Sequence, residues 1–432
     1  MSEISSVKEF KVSRGYAHYV FVLLFLLYMF DFADRYVLSS LFPYLKKDWG
    51  LSDTQCGLLM STVTWSVLVL TMPIAVLVDR WSRKKSIGIM AALWSVACAA
   101  CAFTHNFAQL FVARTALGVG EAGYTPAGYA MISAYYPEEK RSTMNGIWNA
   151  AYPLGAALGI VAGGVIAVKF GWRYAFGLLA IPGLILALLF FRVKDYKTVD
   201  LVKSSEREGD GPAKIKMKTL DVVKEFIKTP SLMLTYFGYA GNMFFTVGLI
   251  TWLPTYYNRL ENIPMDKAGM KASIIMLLAV VGGPLGGFIT DALRKKKIYA
   301  RMAVPAFSSL LTALLMYTGF SFFSGGAQYG FLIAVGLSAA LFIPGASAVT
   351  QDVVHPGMRA MSYSVAVLVQ SLLGSSLGPL FIGAISDRYD LITAFKLLPL
   401  FAGLSSVLFL VGAFFYKRDL DRVEKIILER ED

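Results

Sequence analysis

Charge is scarce in this chain. Only 16% of its 432 residues are Asp, Glu, Lys or Arg, whereas 56% are hydrophobic and the mean hydropathy is +0.57. Soluble domains carry about 25% charged residues, so water is excluded as the main solvent. Cysteine is scarcer still. Cys56, Cys98 and Cys101 are odd in number and lie in or beside apolar runs, which excludes a disulfide framework of the secreted kind. Cys98 and Cys101 form a C-x-x-C, but their neighbours Val96, Ala97, Ala99, Ala100 and Ala102 offer no polar partner for metal or redox work. Packing is their expected role. His18, His105 and His355 are too scattered for a ligand set. No metal and no cofactor are expected. The apolar stretches hold no H-E-x-x-H or G-x-S-x-G pattern, so an enzyme is not expected either. The net charge of +12 comes from short basic clusters between apolar runs, not from a sustained basic helix, and a nucleic-acid partner is excluded on that ground.

Long apolar stretches are abundant. A membrane-crossing helix needs about 20 mostly apolar residues, and twelve such stretches run near 17–43, 55–78, 86–103, 108–134, 144–168, 174–191, 231–257, 270–290, 302–323, 328–350, 361–385 and 395–416. The first is too long for a signal-peptide core and lacks a small-residue cleavage site. With an even number of spans, both termini share a side with the even-numbered connections. That side holds 30 of the 41 Lys and Arg residues and the other holds nine, while Arg35 and Arg114 lie inside spans. By the positive-inside rule both termini are expected in the cytoplasm, in a multi-pass protein of the inner cell membrane. The expected divisions are an N-terminal segment 1–16, a six-helix bundle 17–191, a polar cytoplasmic connection 192–230, a second six-helix bundle 231–416 and a C-terminal tail 417–432.

An internal repeat supports that division. PIAVLVDRWSRKK from Pro73 has a counterpart in PLGGFITDALRKKK from Pro284, so Asp79 corresponds to Asp291 at an offset of 212. PEEKRSTMNG around Arg141 resembles HPGMRAMSYS around Arg359, and Gly155 and Gly159 match Gly374 and Gly378 at offsets of 218 to 219. Two similar six-helix halves in parallel orientation suit a transporter that rocks about a central site. Glycines at four-residue spacing (Gly155, Gly159, Gly163) permit close helix packing where lipid supplies no hydrophobic drive.

Five ionisable residues interrupt the apolar stretches: Asp31, Asp34 and Arg35 in the first, Arg114 and Glu121 in the fourth. Facing lipid, they would cost on the order of 12 to 17 kcal/mol together. They must be paired or face a water-filled cavity. Asp31 and Arg35 are four apart and share a helix face, and so do Arg114 and Glu121 at seven. This places Asp31 and Glu121 near the midplane with both arginines further out, by about 6 to 11 Å of helix rise. Fixed cations beside titratable carboxylates suit a proton-coupled carrier of anions. The second half has no ionisable residue in mid-span. Its lining candidates are Tyr236, Tyr239, Asn242, Phe245 and Gln370, alongside Asn149 and Tyr152 in the fifth span.

VDRWSRKK resembles the signature between helices two and three of the major facilitator superfamily, although Ala75 and Ser82 stand where that signature usually has Gly. Within it, DFADRY, RTALGVGEAGY, NAAYPLGAALG and VQSLLGSSLGPLFIGAISDR resemble spinster-type transporters, and the charge motifs also resemble anion:cation symporters. The resemblance implies an all-α membrane fold of twelve helices in two pseudo-symmetric six-helix bundles, acting as a monomer. It assigns proton coupling and anion binding to Asp34, Arg35, Arg114 and Glu121, and latching of the cytoplasmic side to Asp79, Arg80, Arg83, Lys84 and Asp291. Asp31 joins Glu121 and Asp34 as a coupling candidate by its burial alone. The expected partners are protons, the lipid bilayer and a small organic anion. Spinster relatives imply a lysolipid or sphingoid-phosphate amphiphile instead, and a receptor keeping the same fold is the reading without transport.

Overall fold

A computed structural model of the chain describes residues 13–80, 82–194, 225–355 and 358–423. Much of the central connection therefore lies outside the described residues. Among the described residues, eleven helices are long and apolar enough to cross a membrane. They are span 1 (Arg14–Ser40), span 2 (Asp53–Thr71), span 3 (Lys84–Cys101), span 5 (Thr143–Phe170), span 6 (Trp172–Phe190), span 7 (Pro230–Leu260), span 8 (Met265–Arg294), span 9 (Ala300–Phe322), span 10 (Gly325–Asp352), span 11 (Met361–Arg388) and span 12 (Leu391–Asp421). The expected fourth stretch is not one helix. It is divided into Phe107–Glu121 and Tyr124–Tyr135, which together make span 4.

Proline explains most of the breaks. A proline ring displaces the carbonyl four residues earlier and brings no N–H of its own. Span 1, expected as one helix over 17–43, is α-helical over Arg14–Tyr36, tightens to a 3-10 turn at Val37–Ser40 and resumes at Phe42–Trp49, around the position four residues before Pro43. Span 5 is interrupted between Asn149 and Ala151, ahead of Pro153. Span 10 is interrupted between Ser338 and Phe342, ahead of Pro344. Span 11 passes through a π-helical turn at Gln370–Ser375, ending four residues before Pro379. The interruption of span 4 at Ala122 and Gly123 keeps the same spacing to Pro126.

The repeated glycines make the same contact in both halves. A Cβ on Gly155 or Gly159 of span 5 would collide with Met29 O or Ala33 O of span 1, and one on Gly374 or Gly378 of span 11 with Ala240 O or Phe244 O of span 7. Further contacts of this kind join the halves: Gly57 faces Pro379 O, Gly383 faces Asp53 O, and Gly164 faces Met265 O. Bare backbone thus forms the seams of both bundles and of the interface between them.

Hydrogen bonds identify the two faces. Lys194 N donates to Tyr16 Oη at 2.6 Å and Tyr135 Oη to Lys194 O at 3.0 Å, which joins the start of span 1 to the ends of spans 4 and 6. Ser231 N donates to Asp419 at 2.9 Å, joining the start of span 7 to the end of span 12. Within each bundle the start of the first span and the end of the last therefore lie on one face.

If the glycine seams set helix depth, Gly155→Val and Gly374→Val should each lower stability by about 1 to 3 kcal/mol, the usual cost of overpacking. Gly177→Ala and Gly403→Ala, where an added Cβ meets nothing within 4 Å, should not. Thermal denaturation of the four purified variants tests this, and equal melting of all four would refute the seam.

Candidate functional site

Span 4 reaches span 1 because its own sequence is glycine-rich. Side chains at Gly118 and Gly120 would strike Ser66 of span 2 and Trp94 of span 3, so the helix lies deep and carries Arg114 and Glu121 to the centre. Glu121 ends the first helix of span 4, immediately before the break. Its carboxylate forms an ion pair with Arg35, whose side chain is 18% exposed against 2% for Glu121. Phe32 lies beneath the Arg35 guanidinium, with the ring centroid 5.2 Å from Cζ. Asp31 sits beside Glu121 and Arg35. Asp34 points elsewhere. It is fully buried and packs against the Cys98 thiol and close to Arg114, in a compartment walled by spans 1, 3 and 4.

Three carboxylates thus accompany two guanidiniums, and among the described residues no ion pair reaches Asp31 or Asp34. Arg114 is fully buried, and its bonds run to backbone: Nη1 donates to Asp34 O at 3.0 Å, Nη2 to Arg35 O at 2.9 Å and Nε to Leu59 O at 3.5 Å.

A cavity of about 240 Å³ lies between the halves, lined by Phe32, Arg35 and Tyr36 of span 1, Met60 and Thr64 of span 2, Tyr152 of span 5, Met243 and Val247 of span 7, and Gln370, Ser371, Ser375 and Pro379 of span 11. Tyr36 Oη and Tyr152 Oη are 3.2 Å apart, and Phe32 packs edge-on to Tyr152 at 4.4 Å. The cavity has one cationic wall and, opposite it, hydroxyl and amide groups presented by the π-helical turn of span 11. A second, apolar cavity of about 90 Å³ adjoins it, sharing Tyr152 and Met243 and lined otherwise by side chains such as Phe245, Leu249, Ile275 and Val335.

Of the sequence-based ligand candidates, Arg35, Tyr152 and Gln370 line the central cavity. The others do not. Asn149 accepts from Tyr129 Oη at 3.0 Å on an exposed surface, Asn242 donates to Ser309 Oγ at 2.9 Å inside the second bundle, and Tyr239 packs against Phe342. Ser371, Ser375 and Thr64 were not among the candidates, because an isolated Ser or Thr in an apolar stretch carries no signal of its own. Of the latch candidates, Asp291 is exposed at the end of span 8 and lies near Arg301, and Lys84 starts span 3. The side chains of Asp79, Arg80 and Arg83 lie outside the described residues.

Reciprocal bonds join the halves on the face away from the termini. Asp53, at the first turn of span 2, accepts from Arg259 at 2.7 and 2.8 Å and from Ser386 at 2.6 Å, and Lys46 pairs with the same carboxylate. In return Asp387 of span 11 accepts from Asp53 N and Thr54 N at 2.7 Å each and from Thr54 Oγ1 at 2.6 Å. A carboxylate of one half thus satisfies the free N–H groups at a helix start in the other. The stretch of span 2 from this closure to Met60 and Thr64 rises about 10 to 16 Å. No local pattern reveals these bonds, since Asp53 and Asp387 are 334 residues apart; in the sequence Asp53 falls in a connection and Asp387 closes the stretch VQSLLGSSLGPLFIGAISDR, with no role assigned to either.

The profile described as Major Facilitator Superfamily matches residues 24–379. The chain is 28% identical over 344 residues to the hexuronate transporter of Bacillus subtilis, covering 78% of this chain and 80% of that one. It is 27% identical over 396 residues to protein spinster homolog 1 of Xenopus tropicalis, covering 87% and 74%. Its fold matches the crystal structure of a bacterial homolog of the human lysosomal transporter Spinster, in an inward-facing and unoccupied conformation, with a TM-score of 0.78, 22% identity and coverage of 95% and 98%.

Removing the Asp387 carboxylate should loosen the closed face. With Thr64→Cys as reporter, a bulky membrane-impermeant maleimide applied at that face should label Asp387→Ala protein about tenfold faster than its parent, since about 1.4 kcal/mol multiplies a minor open population by ten. Equal labelling rates would show that these bonds do not hold the face shut.

Proposed function

The chain belongs to the Major Facilitator Superfamily, and from that premise we propose that it is a proton-coupled carrier of a small organic anion, a carboxylate, working by alternating access in the inner cell membrane with both termini cytoplasmic. The observation that carries this reading is the Arg35–Glu121 pair at the wall of the central cavity. Arg35 is the cation that a substrate carboxylate can reach, and Glu121 already occupies it. When the anion takes the guanidinium, Glu121 loses its counter-ion where a bare charge is costly, and a proton neutralises it. Anion and proton then bind together and cross together, which is symport. Asp31 beside the pair, and Asp34 behind it, are the further groups able to hold a proton.

The rest of the cavity suits the same cargo. Gln370, Ser371 and Ser375 face the cation across a space of about 240 Å³ and supply donors and acceptors for substrate hydroxyls. Likeness to a hexuronate transporter supports a sugar acid. In this frame the Asp53–Arg259 and Asp387–Thr54 bonds close the outer face and the cavity is approached from the cytoplasm. The latch residues Asp79, Arg80, Arg83, Lys84 and Asp291 would close the opposite side in the other half of the cycle.

One observation favours a second reading. The adjoining apolar cavity could take a hydrocarbon chain while Arg35 holds an anionic head, as a lysolipid-type amphiphile requires.

In proteoliposomes, D-glucuronate should bind wild-type protein more tightly as pH falls, because the bound state holds one more proton. Glu121→Gln should bind it with little pH dependence and fail to accumulate it when only a proton gradient is imposed. Arg35→Ala should lose about 2 to 5 kcal/mol of binding, the cost of truncating one partner of a buried charge pair. Glu121→Gln that still concentrates D-glucuronate would remove Glu121 as the coupling group. Thermal stabilisation by a lysophospholipid and by no sugar acid would favour the amphiphile.

A further inference from the structure

Arg114 spends its donors on an unusual target. Asp34 O and Arg35 O belong to the last α-helical turn of span 1, just where the chain tightens into the 3-10 turn Val37–Ser40. The last carbonyls of an α-helix lose their partners at such a place and need others. Two donors of one guanidinium, Nη1 and Nη2, supply them at 3.0 and 2.9 Å, with the positive charge set at the negative end of the helix dipole. A third donor, Nε, reaches Leu59 O at 3.5 Å, and Nη2 also lies 3.9 Å from Met60 Sδ. Arg114 is therefore a helix cap supplied in trans, tied to spans 1 and 2 from span 4.

The same helix that caps the carbonyl of Arg35 also holds its side chain. Phe107–Glu121 meets Arg35 twice, at the main chain through Arg114 and at the guanidinium through Glu121. We propose that Arg114 is a positioning residue rather than a substrate ligand: by capping the break in span 1 it fixes the direction in which Arg35 and Tyr36 leave the helix toward the cavity. This rests on the reading of Arg35 as the cation that binds substrate. The role needs the planar fork of arginine, because a lysine ammonium is a point donor that does not match two neighbouring carbonyls at once. Charge alone does not satisfy it.

Hydrogen exchange of the purified protein without any ligand tests the cap independently of what is transported. In Arg114→Lys the amides of residues 37–41 should exchange about tenfold faster than in wild type, while those of span 9 stay unchanged, since local opening reports local stabilisation. Glu121→Gln, which removes the ion pair and leaves the cap, should keep exchange at 37–41 within about threefold of wild type, and this variant serves even where Arg114→Lys does not fold. Equal acceleration in Glu121→Gln, or none in folded Arg114→Lys, would overturn the cap. Binding of D-glucuronate supplies the second readout. The cap requires Arg114→Lys and Arg114→Gln to lose affinity alike. Wild-type affinity in Arg114→Lys with loss only in Arg114→Gln would make Arg114 a charge that the anion contacts. Absence of D-glucuronate binding to wild-type protein would count against the sugar-acid reading and leave the exchange result standing.

Discussion

Arg35 and Glu121 form an ion pair that is almost shut off from water on one side and open to a cavity on the other. Burying such a pair is a poor way to gain stability, because desolvation consumes most of the attraction. In the proposed reading its value lies in exchangeability. A guanidinium already desolvated and oriented by Phe32 and Glu121 can accept another carboxylate at little reorganisation cost, and the displaced glutamate must then be neutralised. In the proposed cycle the pair does the work of both binding site and coupling device, and the surrounding helices exist to hold it at the right depth.

That depth is set by backbone contacts. Gly155 and Gly159 bring span 5 against span 1, while Gly118 and Gly120 sink span 4 toward spans 2 and 3. Prolines then place the irregular turns beside the cavity: the 3-10 turn after Tyr36, the interruption after Glu121 and the π-helical turn at Gln370–Ser375. Non-helical backbone at membrane depth is tolerated where it is buried in protein or lines a cavity, and these three turns meet that condition. The reciprocal carboxylates Asp53 and Asp387 complete the arrangement by joining the halves at the end away from the termini.

The twelve spans, the repeat and the five central charges were legible in the sequence because each depends on composition or local spacing. Asp31 and Arg35 do share a face, as their four-residue separation required, and the matched glycines of spans 5 and 11 do make equivalent contacts. What could not be read was where long side chains turn. Helix rise puts Arg35 one layer beyond Glu121, yet its side chain leans back along the helix toward the N-terminal end and meets the glutamate. Arg114 and Glu121 share a face by the same arithmetic, but one finds backbone and the other a cation. The Asp53–Arg259 and Asp387–Thr54 bonds depend on contacts between halves that no local pattern encodes. The expected continuity of spans 1, 4, 5 and 10 failed for a reason that is local after all: Pro43, Pro126, Pro153 and Pro344 each sit about four residues past the break they impose.

The central claim is that an anion and a proton bind together by parting one ion pair, the anion taking Arg35 and the proton taking Glu121. Calorimetric titration of the purified protein with D-glucuronate near neutral pH, repeated in buffers of different ionisation enthalpy, counts the protons taken up on binding. The account predicts uptake close to one proton per anion in wild-type protein, falling toward zero in Glu121→Gln. Saturable binding with the same heat in every buffer would contradict it.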